Sequence, residues 1–270
     1  STWLFFPKPA ALNRLRIEND QRFMPYQYVT EQQDYSDLAS GRVLHSLPGH
    51  PAFPVRLASE VFQRCRARRE SLYQNSRRCV LYDPCCGAAY HLSVLAYLHR
   101  EDIQEVIASD VDEKAVALAK RNLELVTVDG LDQRIAEISE MCKRYGKASH
   151  QEALRSAQSL RSHVLAGAEK YAVTSRVFRA NVTERQEIAR HLKEKSVDIV
   201  FTDVPYGQHS RWSGTEEADP MQAMLEVLLS VLSGSSIVAI ASDKGQKVSH
   251  DHYQRVEQFQ IGKRRVVILR

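Results

Sequence analysis

From residue 79 onward, short apolar segments alternate with segments of helical periodicity, and this alternation limits the fold more than any other feature. CVLYD (79–83) predicts a strand, and YHLSVLAYLHR (90–100) predicts the helix that follows it. The same order recurs along the chain, with strands predicted at 105–110, 175–181, 197–203 and 236–242 and helices at 113–126, 185–194 and 220–232. Strands that alternate with helices form a mostly parallel sheet covered on both faces. The sequence therefore predicts a doubly wound, Rossmann-like α/β fold.

Other segments complete the predicted layout. YQRVEQFQI (253–261) and RRVVILR (264–270) are separated by a Gly-Lys turn, which predicts an antiparallel pair and a seven-stranded sheet with an antiparallel last strand. Helical periodicity from about 130 to 171 predicts an inserted pair of helices. Residues 1–53 are irregular and predict an N-terminal arm or cap, so the main domain is expected over 54–270.

Composition excludes several classes of protein. With 270 residues and 43% apolar residues, the chain can build a hydrophobic core. No segment approaches the roughly 18 apolar residues of a membrane helix, and the beginning lacks the pattern of a secretory signal, so we expect a cytoplasmic protein that binds no membrane. The five cysteines lack the spacing of a zinc site, which predicts free thiols and no metal. A net charge of +4 favours nucleic acid only slightly, and the oligomeric state stays open.

The first predicted strand ends in a turn of small residues directly before a helix: Asp83, Pro84, Cys85, Cys86 and Gly87. In doubly wound folds a ligand binds at this turn, because small residues allow close approach and the helix N-terminus offers free N–H groups. Asp110 ends the next strand, where a carboxylate can accept hydrogen bonds from ribose hydroxyls. Two glycines of the dinucleotide pattern G-x-G-x-x-G are missing, and Asp83 would repel a pyrophosphate. The turn therefore favours cationic S-adenosylmethionine over NAD; the alternative is a structural turn with two surface aspartates.

Asn181 is at the end of the third predicted strand, at the same edge of the sheet. Beside the same cleft, its side chain could bind the amino group of adenine. The alternative is a turn residue or a helix N-cap, a role that Thr183 could also take.

The fourth predicted strand ends with polar and aromatic residues that a buried strand does not need: Asp203, Val204, Pro205, Tyr206 and Gly207. This ending resembles the (N/D)-P-P-Y motif of class I methyltransferases that modify nucleobase nitrogens. The resemblance implies that Asp203, which borders the cofactor, and the Val204 carbonyl accept hydrogen bonds from the target nitrogen. It also implies that Pro205 stiffens the turn and that Tyr206 stacks on the base. Val204 replaces the first proline, which the carbonyl role does not need; the alternative is an N-capping aspartate before an ordinary turn.

Three segments narrow the resemblance: HPAFPVRLASEVF (50–62), LYDPCCGAAYHLSVL (81–95) and FTDVPYGQHSRW (201–212). Together they are similar to the ribosomal RNA methyltransferases that confer avilamycin resistance. This implies methylation of a guanine nitrogen in large-subunit (23S) ribosomal RNA, with N1 and N2 both open. The alternatives are a DNA or tRNA methyltransferase, an RNA-binding protein without catalysis and an NAD-dependent oxidoreductase.

Basic residues are concentrated in a helix predicted to begin near Pro54. The resemblance favours phosphate contacts from five of its arginines: Arg56, Arg64, Arg66, Arg68 and Arg69. The loop that follows the fourth strand contains a further set of residues that could contact neighbouring nucleotides: His209, Arg211 and Trp212. The alternatives are a solvated helix face and a solvated loop.

Overall fold

The fold is a seven-stranded sheet with helices on both faces, given by a computed structural model that describes residues 26–46, 52–204 and 219–270. The strands are β1 (Cys79–Asp83), β2 (Ile103–Asp110), β3 (Thr174–Arg179), β4 (Val197–Asp203), β5 (Leu232–Ser242), β6 (Arg255–Ile261) and β7 (Arg264–Leu269). The helices are α1 (Val55–Tyr73), α2 (Tyr90–Leu98), α3 (Glu113–Glu124), α4 (Val128–Tyr145), α5 (Ala148–Ala168), α6 (Arg185–Ala189) and α7 (Pro220–Leu228).

The strand order is β3-β2-β1-β4-β5-β7-β6, and the first five strands in this order are parallel. β7 is antiparallel to both of its neighbours, which confirms the predicted sheet. The chain order reverses between β1 and β4, because β2 and β3 extend to one side and β4 and β5 to the other. Ligands of doubly wound folds bind at this reversal, in the crevice beyond the carboxyl ends of the strands.

Apolar side chains alternate between the two faces of the sheet and form two cores. Ile199 and Phe201 face the core that α1 to α5 cover, while Val200 faces the core that α6 and α7 cover. Strands buried on both faces explain the nearly continuous apolar runs in the sequence. Among the described residues, no helix is long and apolar enough to cross a membrane.

The inserted segment forms α4 and α5, where helical periodicity predicts a pair. The Thr127 side chain accepts a hydrogen bond from the Gly130 N–H and caps α4, and Gly146, at φ +61°, ends that helix. Ile138 and Val164 are fully buried in the larger core. The two helices therefore extend that core outward.

Two predicted helices end four or five residues early in the structure. α6 ends at Ala189 rather than 194, and α7 ends at Leu228 rather than 232. The second difference has a clear cause, because Leu232 pairs with Val197 and begins β5. Pairing with a distant strand overrides the local helical pattern at this point.

The segment 26–46 is held against α1 by buried polar contacts. The Glu60 carboxylate accepts hydrogen bonds from the backbone N–H groups of Gln27, Tyr28 and Val29, at 2.7 to 2.9 Å. Arg56 donates to the carbonyl of Val29 at 2.7 Å. The division of the chain into an arm and a main domain stays a prediction.

Candidate active site

The turn after β1 is tight and leaves open space above its backbone. The Cys85 N–H donates to Asp83 Oδ1 at 3.0 Å, and the Cys86 N–H donates to the Ser109 carbonyl at 2.9 Å. Gly87 has φ +52°, and a Cβ added there would meet no described atom within 4 Å. This open, left-handed position is where a ligand can approach the backbone closely.

Asp110 ends β2 beside this turn, as the sequence predicts. Its Oδ2 accepts a hydrogen bond from the Gly87 N–H at 2.9 Å, and its Oδ1 accepts one from the Asp112 N–H at 3.0 Å. Burial raises the pKa of the Asp110 carboxyl. The carboxylate therefore lies beside the Gly87 N–H, and its contact with ribose hydroxyls stays a prediction.

Asn181 lies at the same edge, because the N–H of the preceding Ala180 donates to the Asp110 carbonyl at 3.1 Å. Its Oδ1 accepts hydrogen bonds from the Thr183 N–H and hydroxyl, at 3.1 and 2.9 Å. These contacts are those of a turn residue, which was one of the alternatives for Asn181. A contact with adenine stays a prediction.

Asp83 is fully buried, and its carboxylate is incompletely satisfied. Asp83 Oδ2 has no well-formed hydrogen bond among the described residues; His91 Nε2 lies 3.3 Å away. The same His91 nitrogen lies 3.3 Å from the Phe201 carbonyl, which competes for its hydrogen. Burial raises the pKa of Asp83 to about 7, a rise that the nearby Thr202 hydroxyl opposes, and lowers that of His91 to about 4. A buried acid with a perturbed pKa is a candidate functional group.

Asp203 ends β4 on the same face of the sheet as Asp83. The register pairs Leu81 with Ile199, so Asp83 lies beside Phe201, two residues before Asp203. Burial raises the pKa of Asp203 to about 6, and the charge of Arg264 opposes this change. Asp203 Oδ2 accepts a hydrogen bond from Arg264 Nη2 at 3.4 Å, and Oδ1 has no partner in the described part of the chain. One oxygen is thus held, and the other is buried without a hydrogen-bond partner among the described residues.

Val204 shows why this motif lacks its first proline. The Val204 N–H donates to the Ala241 carbonyl at 3.1 Å and continues the pairing of β4 with β5. Proline has no N–H to donate. The side chain of Val204 is 1% exposed and packs in the smaller core. The other predicted residues of this motif and loop lie outside the described residues: Pro205, Tyr206, Gly207, His209, Arg211 and Trp212.

Sequence reasoning missed Arg264, Phe53 and His91 as members of this site. The Arg264 guanidinium lies 4.9 Å from the centroid of the Phe53 ring, which meets the Phe201 ring edge-on at 5.4 Å. The ring of His91 packs 4.9 Å from the same Phe201. The sequence offered a signal for two of them: His91 is in the first turn of an apolar helix, and Arg264 begins a strand.

The arginines of α1 form intramolecular pairs, which corrects two of the predicted RNA contacts. Arg64 is 4% exposed and pairs with Glu60 and Glu257; Arg69 is also 4% exposed and pairs with Asp198 at 2.7 Å. Buried, paired guanidinium groups are unavailable to phosphates.

The other three α1 arginines are less buried. Arg56 binds the carbonyls of Val29 and Thr30. Arg66 pairs with Asp102 and Arg68 with Glu257, with 29% and 43% of their side chains exposed. RNA contacts by these three arginines stay predictions.

The thiols at the turn are not reactive groups. Cys86 is buried and Cys85 is partly buried. Burial raises the pKa of each thiol well above its usual range. Because only the thiolate is a strong nucleophile, neither cysteine is suited to accept a methyl group at neutral pH.

Comparison with known proteins gives matches over nearly the whole chain. A family model described as rRNA methyltransferase AviRa matches residues 24–264. A 23S rRNA (guanine(2535)-N(1))-methyltransferase from Streptomyces viridochromogenes is 40% identical over 245 residues, 91% of this chain and 95% of that protein. Two solved structures of rRNA methyltransferase AviRa from the same organism have TM-scores of 0.79 and 0.80, with 40% and 39% identity. They match 90% and 91% of this chain and 95% and 96% of their own.

Proposed function

This chain belongs to the AviRa family of rRNA methyltransferases, and on this premise we propose that it transfers a methyl group from S-adenosylmethionine to N1 of a guanine in large-subunit ribosomal RNA. The choice of N1 over N2 follows the name of the relative that is 40% identical. The observation that carries the proposal is the pair of buried carboxylates, Asp83 and Asp203, at the ends of neighbouring strands. Each keeps one oxygen that no described residue engages by a hydrogen bond.

The described residues of the crevice fit S-adenosylmethionine. Bound there, the cofactor would supply a methyl group on a positively charged sulfur. Asp110, beside the open face of Gly87, is placed to hold the ribose. Asp83 offers its unengaged oxygen to the cationic part of the ligand and disfavours a pyrophosphate, which argues against NAD.

Asp203 is suited to take the proton from guanine N1. The N1 lone pair is delocalised into the ring, so the nitrogen becomes a good nucleophile only as its hydrogen is removed. With a pKa of about 6, Asp203 is ionised at neutral pH and is a stronger base than an ordinary aspartate. Arg264 contacts Oδ2, and Oδ1 has no hydrogen-bond partner among the described residues. The Val204 carbonyl follows directly and would accept from the guanine amino group.

Alignment of the reacting atoms also contributes to the rate of methyl transfer. Methyl transfer requires the nitrogen, the methyl carbon and the leaving sulfur on one axis. Asp83 and Asp203 lie on one face of adjacent strands, so the cofactor and the base would meet across a short distance. A base in folded RNA must first leave its stack. Tyr206 stays the predicted stacking residue.

Mass spectrometry of nucleosides tests the proposal. A 23S rRNA transcript, a tRNA pool and duplex DNA are each incubated with the enzyme and isotopically labelled S-adenosylmethionine, then digested. We expect labelled 1-methylguanosine from the 23S transcript alone. Label in N2-methylguanosine, or only in tRNA or DNA, would contradict the proposed target.

Growth on avilamycin of a strain that expresses the chain tests the resistance implied by the resemblance.

A further inference from the structure

We infer that ribosomal RNA is held by a basic rim beside Asp203, on the β5 to β7 side of the crevice. The basic rim consists of Lys244, Lys247 and Lys263. The inference rests on the proposed function, because it identifies the surface by which the same site holds its RNA. Its ligand is the phosphate backbone next to the target guanine.

Sheet register places Lys244 and Lys263 at the carboxyl edge, and Lys247 lies in the segment that follows β5. Asp203 pairs with Ala241 in β5, and Lys244 follows Ala241 by three residues. β7 is antiparallel to β5, so it begins where β5 ends, and Ser242 pairs with Arg265. Lys263 lies in the turn between β6 and β7. Neighbouring strands are about 4.8 Å apart, so the rim begins within two or three strand spacings of Asp203.

Contacts among the described residues leave the rim lysines available to a ligand. Lys244, Lys247 and Lys263 are exposed, and none of them forms an ion pair within the described part of the chain. The nearby Asp243 accepts the N–H groups of Gly245 and Gln246 at its Oδ1, at 2.8 and 3.0 Å, and forms no ion pair with a rim lysine in the described part of the chain. Clustered exposed cations without acidic partners are suited to phosphates.

Two contacts join the rim to the site. Arg265 Nη1 donates to the Lys244 carbonyl at 3.3 Å and ties the end of β5 to the start of β7. Arg264, which precedes Arg265 in β7, contacts Asp203. A guanine at Asp203 would therefore bring its flanking phosphates close to the rim.

Arg69, near the C-terminal end of α1, lies far from the site. Arg69 pairs with Asp198, which lies five residues before Asp203 in β4. At about 3.3 Å per residue, this pair is roughly 17 Å from the catalytic end of the strand. Position and pairing both favour the rim over Arg69 as the RNA surface, and pairing favours it over Arg64.

The test compares two triple variants that lose the same charge. Lys244→Gln, Lys247→Gln and Lys263→Gln alter the rim. Lys170→Gln, Lys193→Gln and Lys195→Gln form the control, because these lysines are also exposed but precede β3 and β4 at the opposite edge. Affinity for a 23S rRNA transcript is measured over a range of salt concentrations, with calorimetry of S-adenosylmethionine binding as the check on folding.

We expect the rim variant to lose about tenfold in RNA affinity, with a slope of log affinity against log salt that is shallower by about 2. The control variant should match the parent, and cofactor affinity should stay the same in all three proteins. A rim variant with the parent's affinity and slope overturns the inference while the parent's methylation of the transcript stands. A parent that neither binds nor methylates the transcript overturns the proposed function and this inference together.

Discussion

The charges on α1 and those at the carboxyl edge of the sheet are arranged in opposite ways. On α1, Arg64 and Arg69 are buried and paired with acids from the sheet strands β6 and β4. At the edge, Asp83 and Asp203 each keep an oxygen without a hydrogen-bond partner among the described residues. The rim lysines beside them also lack ion pairs there. α1 has the greater concentration of charge, and the edge has the charge that a ligand can use.

The difference separates stability from function. A buried charge is tolerated when partners satisfy it, and removal of one partner leaves the other buried and uncompensated. A carboxylate that stays unsatisfied costs folding free energy and is retained where a ligand completes it. Substitutions on α1 should therefore reduce stability, and substitutions at the edge should reduce binding or turnover.

Arg64→Met should have the largest effect on stability. The change leaves Glu60 and Glu257 without their shared guanidinium, so we expect the free energy of unfolding to fall by about 3 to 5 kcal/mol. Urea denaturation measures the loss. Arg68→Gln is the matched control, because Arg68 contacts the same Glu257 but is 43% exposed, and its loss should cost less than about 1 kcal/mol. Equal losses would contradict the distinction between buried and exposed pairs.

Asp83→Asn should stabilise the fold above neutral pH. The folded-state pKa of Asp83 is about 7, above its usual value of 3.8, so the folded state binds the proton more tightly. In the parent this stabilisation is fully present below about pH 4 and is lost as the pH rises through 7. The variant should therefore match the parent at pH 4 and exceed its free energy of unfolding by roughly 2 to 4 kcal/mol at pH 8. A constant difference between pH 4 and 8 would show that ionisation is not the cause.

Asp110→Ala should change cofactor binding more than stability. Loss of the carboxylate removes the acceptor expected for ribose hydroxyls, and we expect S-adenosylmethionine affinity to fall about 10-fold to 100-fold, equivalent to roughly 1.4 to 2.8 kcal/mol. Calorimetry measures the change. Asp112→Asn is the control, because it removes a neighbouring charge while keeping an oxygen that can accept the Lys114 N–H. Equal weakening in both variants would mean that general charge at this edge, rather than Asp110, holds the cofactor.

The sequence was sufficient where local pattern determines the structure. The strand that ends at Asp83 and the strand that ends at Asp203 both have the predicted bounds. Because carboxyl ends of parallel strands share one edge, the sequence also predicted correctly that Asp83 and Asp110 lie together. The resemblance drawn from three segments is confirmed by the family match over residues 24–264.

Long-range pairing could not be read from the sequence. The partner of Arg64 in β6, Glu257, is 193 residues away in the chain, so the arginines of α1 had the pattern of a basic surface. Val204 departs from the motif because its N–H donates to the Ala241 carbonyl, a pairing that the sequence does not reveal. Arg264 meets Asp203 only because β7 folds back beside β5. Each of these facts depends on sheet register, which local periodicity does not specify.

The central claim is that Asp203 takes the proton from the target guanine, and the single-turnover methylation rate as a function of pH tests it most directly. With saturating S-adenosylmethionine and 23S rRNA, the parent rate should fall about tenfold per pH unit below a pH of about 6, where Asp203 becomes protonated. Asp203→Asn should bind the cofactor normally, react roughly 100-fold to 1,000-fold more slowly and lose this pH dependence. A variant that reacts within a few-fold of the parent, or that keeps the fall near pH 6, would contradict the claim.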